Sequence, residues 1–532
     1  MSRARDGMTP RWARAWVAGL AAVTLAVAGC GGGGDDTDSS SGDAAAAGEL
    51  DRDATLRVGW TVPAFALDPH KTNTTVGQYP YVAPVYDRLT NMAGGRTLEP
   101  MLATEWETSE DGLTQTYHLR DGATFHDGTP VDAAAVKASL DRALNLPEST
   151  VKTFLSMVTG VEVVDPQTVA ITTNRPAADL PYVLASSVGS IINPAALNSG
   201  TLDTQPAGSG PYEVVDVALG DRVVYKRAEN YWDEDAQKVA SLEIIGITDD
   251  NARLSALRSG QIDAALSKIG QYDQASNLGP GFTFHSFDPA STYSLYLHTG
   301  RGPLADEEVR QALNWAIDRD GLTETILNGQ CAPSNQTIAS GLPGHVEDLE
   351  DTYGYDPEKA KEMLADAGYA DGLSLTLLVG AGLQPQVSIA PVIQDQLNEI
   401  GVDVEVVPGD PTQITGMWAQ GGYDMHIQTR VASPLPAITI RDNFLTTRFP
   451  GPKPEGLEAL VTESLDPTLA EDARTDVLEE ANTLVTEQAL DVFLCQLPTQ
   501  FAYSDKVVGI EDMGWADLQG IFDTRYLGVT KD

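Results

Sequence analysis

The stretch "LSLTLLVGAGLQPQVSIAPVIQDQLNEIGVDVEVV" (residues 373–407) opens on a leucine-rich segment of strand length, LSLTLLV (373–379). A helical segment follows to Ile400 and is stopped by Gly401. VDVEVV (402–407) is a second strand, a further helix ends near Gly421, and YDMHIQ (423–428) is a third strand. Strand, helix, strand, helix, strand is the order of a parallel sheet with helical crossovers, so this half of the chain reads as an α/β unit.

Working outward, the first half follows the same order with more decoration. LRVGW (56–60) is a short apolar strand; LEIIGI (242–247) is another, followed by a helix ending at Gly260 and a strand beginning at Ile262. Between them, TQTYHLRDGATFHDGTPVD (114–132) gives a strand and two Asp-Gly turns. Asp132 then caps a helix in which Val136, Leu140 and Leu144 recur every fourth residue. VEVVDPQTVAIT (161–172) and YEVVDVALGDRVVYKR (212–227) are hairpins punctuated by Asp165-Pro166 and Gly220-Asp221. The chain therefore reads as two α/β lobes, each with additions.

The N-terminus has a different character. Arg3, Arg5, Arg11 and Arg14 form a basic head, and residues 15–27 form an apolar core shorter than the roughly 20 residues that span a bilayer. Ala28 and Gly29 lead into Cys30, the pattern of a bacterial lipoprotein signal in which cleavage leaves the cysteine first and its sulfur carries a diacylglycerol. Residues 31–48 are glycine, aspartate, serine and alanine with one threonine and little to bury, a tether with an end-to-end distance on the order of 25 Å. The expectation is a folded body lipid-anchored on the outer face of the cell membrane, with residues 1–29 as the signal peptide.

About 500 residues remain, enough for two or three hydrophobic cores. The formal net charge of −42 argues against nucleic acid or an anionic membrane surface as partners of the body. Beyond Cys30 only Cys331 and Cys495 occur; an exported location permits a disulfide between them, and two buried free thiols is the other reading left open. No H-E-x-x-H, paired C-x-x-C, G-x-x-x-x-G-K-[ST] or G-x-S-x-G is present, and the 7 histidines are scattered, so no catalytic residue, metal ligand or cofactor is expected. FHDG (125–128) reads as a turn before it reads as a His/Asp dyad.

YDRLT (86–90), the long segment LEPMLATEWETSEDGLTQTYHLRDGATFHDGTPVDAAAVKASLDRAL (98–144), GSGPYEVV (208–215), AENYWDED (228–235), DEEVRQALNWAIDRDGL (306–322) and YDPEKAKEMLADAGYADG (355–372) resemble the family 5 extracellular solute-binding proteins. These are the receptors of peptide, dipeptide and nickel ABC importers. The resemblance runs from Leu56 to Gly528. It implies a two-lobed type II periplasmic-binding fold with an extra subdomain in the N-terminal lobe. On that pattern, residues 30–54 are the lipidated cysteine and tether. Residues 55–288 are lobe one, with an insert at about 98–200; residues 289–494 are lobe two, and residues 495–532 return to lobe one. It also implies monomers that hand a solute to a membrane permease and its ATPase.

Ligands of open α/β sheets bind beyond the carboxyl ends of the strands, where the strand order reverses. Thr429, Arg430 and Ser433, after YDMHIQ, are therefore the lobe-two candidates, and residues 62–65, with Phe65, the lobe-one candidates. Tyr79, Tyr81 and Tyr293 are candidates for stacking on a ligand. Peptide receptors of the family resemble Y-D-M-x-x-x-x-W-x-x-D at this strand, with the aspartate on the peptide's α-amino group; here Arg430 and Ser433 stand at the tryptophan and aspartate positions. Two readings follow: Arg430 grips an anionic group of a ligand that is not a free-amino peptide, or it pairs with an acidic side chain of this acidic protein. The implied mechanism is hinge closure over the ligand. A sensor or chaperone of the same fold, and an exported hydrolase, are the alternatives.

Overall fold

A computed structural model of the chain describes residues 48–71, 75–410, 413–446 and 448–531. The expected signal peptide, Cys30 and most of the expected tether lie outside the described residues.

The chain forms β1 (Thr55–Trp60) and then a hairpin, β2 (Thr90–Ala93) and β3 (Thr97–Pro100). Next come β4 (Ala103–Thr108), β5 (Thr114–Leu119), β6 (Val158–Asp165) and β7 (Thr168–Thr173), followed by β8 (Tyr212–Ala218), β9 (Arg222–Arg227), β10 (Ser241–Gly246), β11 (Ala264–Ser267) and β12 (Phe282–Ser286). Then come β13 (Ser291–Leu297), β14 (Ala332–Pro333), β15 (Leu373–Gly380), β16 (Val402–Gly409), β17 (Met425–Arg430), β18 (Asp491–Leu497) and β19 (Gln500–Ser504), with a short pair Val507–Val508 and Gly528–Val529 near the end. They make a 7-stranded sheet ordered β12-β19-β11-β1-β10-β9-β8, a 6-stranded sheet ordered β14-β18-β13-β17-β15-β16, and a 4-stranded sheet ordered β4-β5-β7-β6. Each has its own apolar core: Leu56, Val58, Ile244 and Phe501 for the first, Leu295, Leu375, Ile393 and Val492 for the second, and Tyr117, Val136, Leu140 and Ile171 for the third.

The strands follow from their patterns. β15 pairs in parallel with β16 along its whole length and with β17 on its other side, while the helix Gln386–Glu399 crosses between β15 and β16. β1 likewise lies between β10 and β11, parallel to both, with the helix Asp250–Arg258 crossing over it. In both sheets the order reverses around a central strand, at β1 and at β15. Asp132 caps the helix Ala133–Asn145 by accepting from the Ala135 N–H, and the two hairpins turn where Asp165 and Gly220 stand.

Two segments connect the sheets. The chain passes from β12 to β13 through residues 287–290 and returns from β18 to β19 through residues 498–499. The strands pair with each other on both sides of the passage, β12 with β19 and β13 with β18, and Phe287 N–H donates to the Thr499 carbonyl at 2.9 Å between them. The connection is a two-stranded ribbon. Its return begins at Pro498, a few residues beyond the expected 495, because Cys495 and Leu497 still pair with Tyr293 and Ser291 in the second sheet. Cys331 and Cys495 are joined by a disulfide, with Cα atoms 5.5 Å apart. Of the two readings left open for these cysteines, the bridge is the one the structure has; both lie in the core of the second lobe.

Several of the motifs behind the family resemblance converge on one buried carboxylate. Asp87, from YDRLT, accepts from Ser209 Oγ (3.3 Å), Tyr231 Oη (2.8 Å) and Trp232 Nε1 (3.0 Å), residues of GSGPYEVV and AENYWDED. Gly208 and Gly210 let the segment before β8 run against residues 84–86; a Cβ at Gly208 would stand 2.0 Å from the Val85 carbonyl oxygen.

Candidate functional site: the cleft between the lobes

The β2–β3 hairpin carries lobe one to the edge of lobe two. Ala93 pairs with Thr97, leaving Gly94, Gly95 and Arg96 at the tip, with Gly95 and Arg96 both left-handed at φ 66° and 60°. Glycine adopts this region freely, whereas arginine does so only where its surroundings hold it. They do here: Gly94 N–H donates to the Asp512 carbonyl at 2.9 Å, and a Cβ at Gly94 would come within 2.8 Å of the Glu511 carbonyl oxygen. Arg96 Nε then donates to Asp517 Oδ2 at 2.7 Å. Burial pushes the Asp517 carboxyl up, against the pull of Arg96.

This tip faces a cavity of about 590 Å³ whose other wall is lobe two: Leu342, Leu435 at the start of the helix Pro436–Phe444, and Glu471 and Arg474 in the first turns of the helix Glu471–Glu487. A second cavity of about 430 Å³ is lined by residues 285–288 of the crossing ribbon with Glu511, Asp517 and Ser340. Gly95, Arg96 and Gly341 line both, so the two adjoin. Arg474 is committed elsewhere: its guanidinium donates to the carbonyls of Ser464, Asp466 and Leu469.

Two further contacts join the lobes. Beside the ribbon, Ala432 packs with Tyr79, Ala290, Trp515, Leu518 and Ile521. Ser291 Oγ there accepts from the Ala432 N–H (3.0 Å) and donates to the Leu518 carbonyl (3.1 Å). The other contact is ionic. Asp179, fully buried in lobe one, is gripped by Arg175 at 2.7 Å and by Arg441 of lobe two at 2.7 Å, while Ala178 N–H donates to the Leu465 carbonyl at 2.9 Å. Burial alone would raise the Asp179 carboxyl; Arg175 and Arg441 hold it below the usual carboxylate range.

The residues expected at the site are distributed unevenly. Arg430 is buried in lobe two, where Nε and Nη2 hold both oxygens of Asp491 at 2.6 and 2.8 Å, Nη1 donates to the Asn443 carbonyl, and the guanidinium lies 3.3 Å from the centre of the Tyr296 ring. The acidic-partner reading of Arg430 is the one the geometry displays. Tyr293 packs into the lobe-two core, and Tyr81 into that of lobe one with its hydroxyl on the Val62 carbonyl at 2.8 Å. Both are candidates for stacking on a ligand from sequence; in the structure Tyr81, on the helix Thr75–Val82, and Tyr293, on β13, are buried against their own cores. Tyr79 lies at the apolar seam between the lobes, with its hydroxyl donating to Asp523 at 2.8 Å. Ser433 leads into the cavity wall at Pro434, its N–H donating to Thr439 Oγ1, and Thr429 accepts from Tyr296 Oη through its carbonyl. The Phe65 ring is half exposed after β1, its N–H bound by Gln78. Arg96 escaped the sequence reading because AGGR carries no alternation; only the pair of glycines marks a turn there.

FHDG is a turn: Asp127 accepts from the Thr129 N–H and hydroxyl, and His126 Nε2 lies 2.9 Å from the Gly210 carbonyl. Among the described residues no group of acidic, histidine or cysteine side chains is arranged to hold a metal ion.

Residues 97–450 match the family model described as bacterial extracellular solute-binding proteins, family 5, middle region. The chain is 32% identical over 353 residues to the glutathione-binding protein GsiB of Salmonella paratyphi A, covering 65% of this chain and 68% of that protein. In structure it resembles the PBP AgaA of Agrobacterium tumefaciens R10 in complex with agropinic acid (TM-score 0.77, 24% identity, 90% of this chain and 99% of that one). It also resembles DppA of Helicobacter pylori in complex with the peptide STSA (TM-score 0.76, 21% identity, 90% and 98%). These likenesses account for two lobes on a crossing ribbon with a cleft between them: the chain belongs to the family 5 bacterial extracellular solute-binding proteins, the substrate-binding components of ABC importers.

Proposed function

We propose that this protein captures a small peptide-like or organic-acid solute in the cleft between its lobes and presents it, closed, to a membrane permease. The observation that carries the reading is the cavity between the β2–β3 tip and lobe two: each lobe supplies one wall, and neither encloses a solute alone. The ribbon at residues 287–290 and 498–499 is a connection about which the lobes can rotate, and a ligand favours the closed arrangement by its higher affinity for it. The relatives are described with glutathione, a peptide and agropinic acid, which supports solutes of this size and polarity. Cys30, after its basic and apolar leader, anchors the receptor by lipid, and the tether spaces the body from the membrane.

A thermal-shift panel of di- to pentapeptides, organic acids, sugars and nickel tests the reading. A solute at 100 times its dissociation constant stabilises by about 2.7 kcal/mol, a readily measured rise in midpoint. A rise with peptides or organic acids is expected; a rise with sugars or nickel alone contradicts the solute class.

A further inference from the structure

We infer that Arg96 is the anion anchor of the cleft, its guanidinium taking a carboxylate of the bound solute. The inference rests on the receptor reading above and names the group that this site recognises.

Arg96 stands where both cavities meet, with a side chain only 16% exposed. Its Nε is used by Asp517 at 2.7 Å, and among the described residues no acceptor lies within hydrogen-bond reach of Nη1 or Nη2. With Nε so fixed, the two terminal nitrogens present a planar fork of parallel donors, the arrangement that fits a carboxylate bidentately. The fork is held in place: the left-handed tip at Gly95 and Arg96 is pinned against residues 511–513, and Asp517 sits on the short helix Ala516–Gln519. A largely desolvated cation fixed at a cavity edge gains most from an anion that arrives as the lobes close.

The neighbouring arginines are already committed. Arg430 serves Asp491, Arg441 serves Asp179 and Asp442, and Arg474 caps carbonyls at the end of the preceding helix. Among the described residues that line the two cavities, Arg96 is thus the arginine with both terminal nitrogens unengaged. The surroundings also select the kind of anion. Asp517 lies on the same guanidinium, and Glu511 and Asp288 line the second cavity, so a doubly charged phosphate monoester meets more repulsion than a singly charged carboxylate. The acidic end, with His285, suits a neutral or cationic remainder of the same solute.

The test uses the full chain and the variants Arg96→Ala and Arg96→Lys. Calorimetric titration compares di- to pentapeptides and mono- and dicarboxylic acids, each against its amide, with phosphate monoesters as a separate arm. Unfolding midpoints confirm that each variant is folded. Wild type is expected to prefer free acids over amides. Arg96→Ala should weaken the free acids about ten- to a hundredfold and abolish that preference, with Arg96→Lys intermediate because an ammonium keeps the charge without the fork. Free-acid affinity unchanged in Arg96→Ala, or amides bound by wild type as tightly as acids, overturns the anchor and leaves the receptor reading standing. Phosphate monoesters bound more tightly than carboxylates overturn the carboxylate assignment. No response to any solute removes the receptor reading and the anchor with it.

Discussion

Arg430 and Asp491 are separated by 61 positions in sequence and meet with both carboxylate oxygens engaged and almost no exposure. Removing one partner leaves the other charged and buried, so Asp491→Ala and Arg430→Ala should each destabilise by about 3–5 kcal/mol, whereas Arg430→Met with Asp491→Leu should lose far less. Chemical unfolding of the four proteins checks this; additive losses would mean that the pair is not the unit. Two buried histidines set a pH dependence. Burial, and then Arg142, lowers His70 to about 4, and burial lowers His426 to about 4, from 6.5. Between those values the folded chain binds fewer protons than the unfolded one. The stability from these groups is complete above pH 6.5 and is lost as pH falls toward 4, by about 3 kcal/mol each. Replacing both by glutamine should flatten the slope of unfolding free energy over that window; an unchanged slope would assign it to the carboxylates.

At the scale of elements, the disulfide ties β18, one strand of the ribbon, to the segment before β14, across a sequence separation of 164. In the chain-entropy model a loop that long confers about 4–5 kcal/mol, so Cys331→Ala with Cys495→Ala should lower the urea midpoint by a comparable stability; a loss under 1 kcal/mol would contradict the model for this chain. The elements also differ in how legible they were. β15, β16 and β17 were readable because their apolar runs and the glycine after the helix Gln386–Glu399 are local signals. The β2–β3 hairpin was not, since TNMA is buried throughout by long-range packing against residues 511–515 and shows no alternation. The site divided in the same way. The end of β17 leads to the cleft wall, as strand order suggests, yet Arg430 turns inward because its partner Asp491 lies 61 positions away, and Tyr81 and Tyr293 are buried in the cores of their lobes. Arg96 turns outward for the same kind of reason: its orientation is fixed by Asp517, 421 positions away.

For the whole molecule, the ribbon and the cleft make closure the central event, and the Arg441–Asp179 contact is its ionic latch. Because Asp179 keeps Arg175 when Arg441 is removed, Arg441→Ala should leave the fold intact while weakening the closed state, raising the dissociation constant about two- to tenfold, mainly through faster release. Stopped-flow dissociation measures it, and an unchanged release rate would show that the latch adds nothing to closure. The most direct measurement is the distance between the lobes. Labels on cysteines introduced at Val215 in β8 and at Tyr355 in lobe two, both exposed, report it without disturbing the buried Cys331–Cys495 bridge, with Cys30 replaced by serine. The account predicts that a solute which raises the unfolding midpoint also shifts this pair to a single narrow distance distribution, and that Arg441→Ala needs more solute to reach it. A distribution unchanged at saturating solute would contradict capture by closure between the lobes.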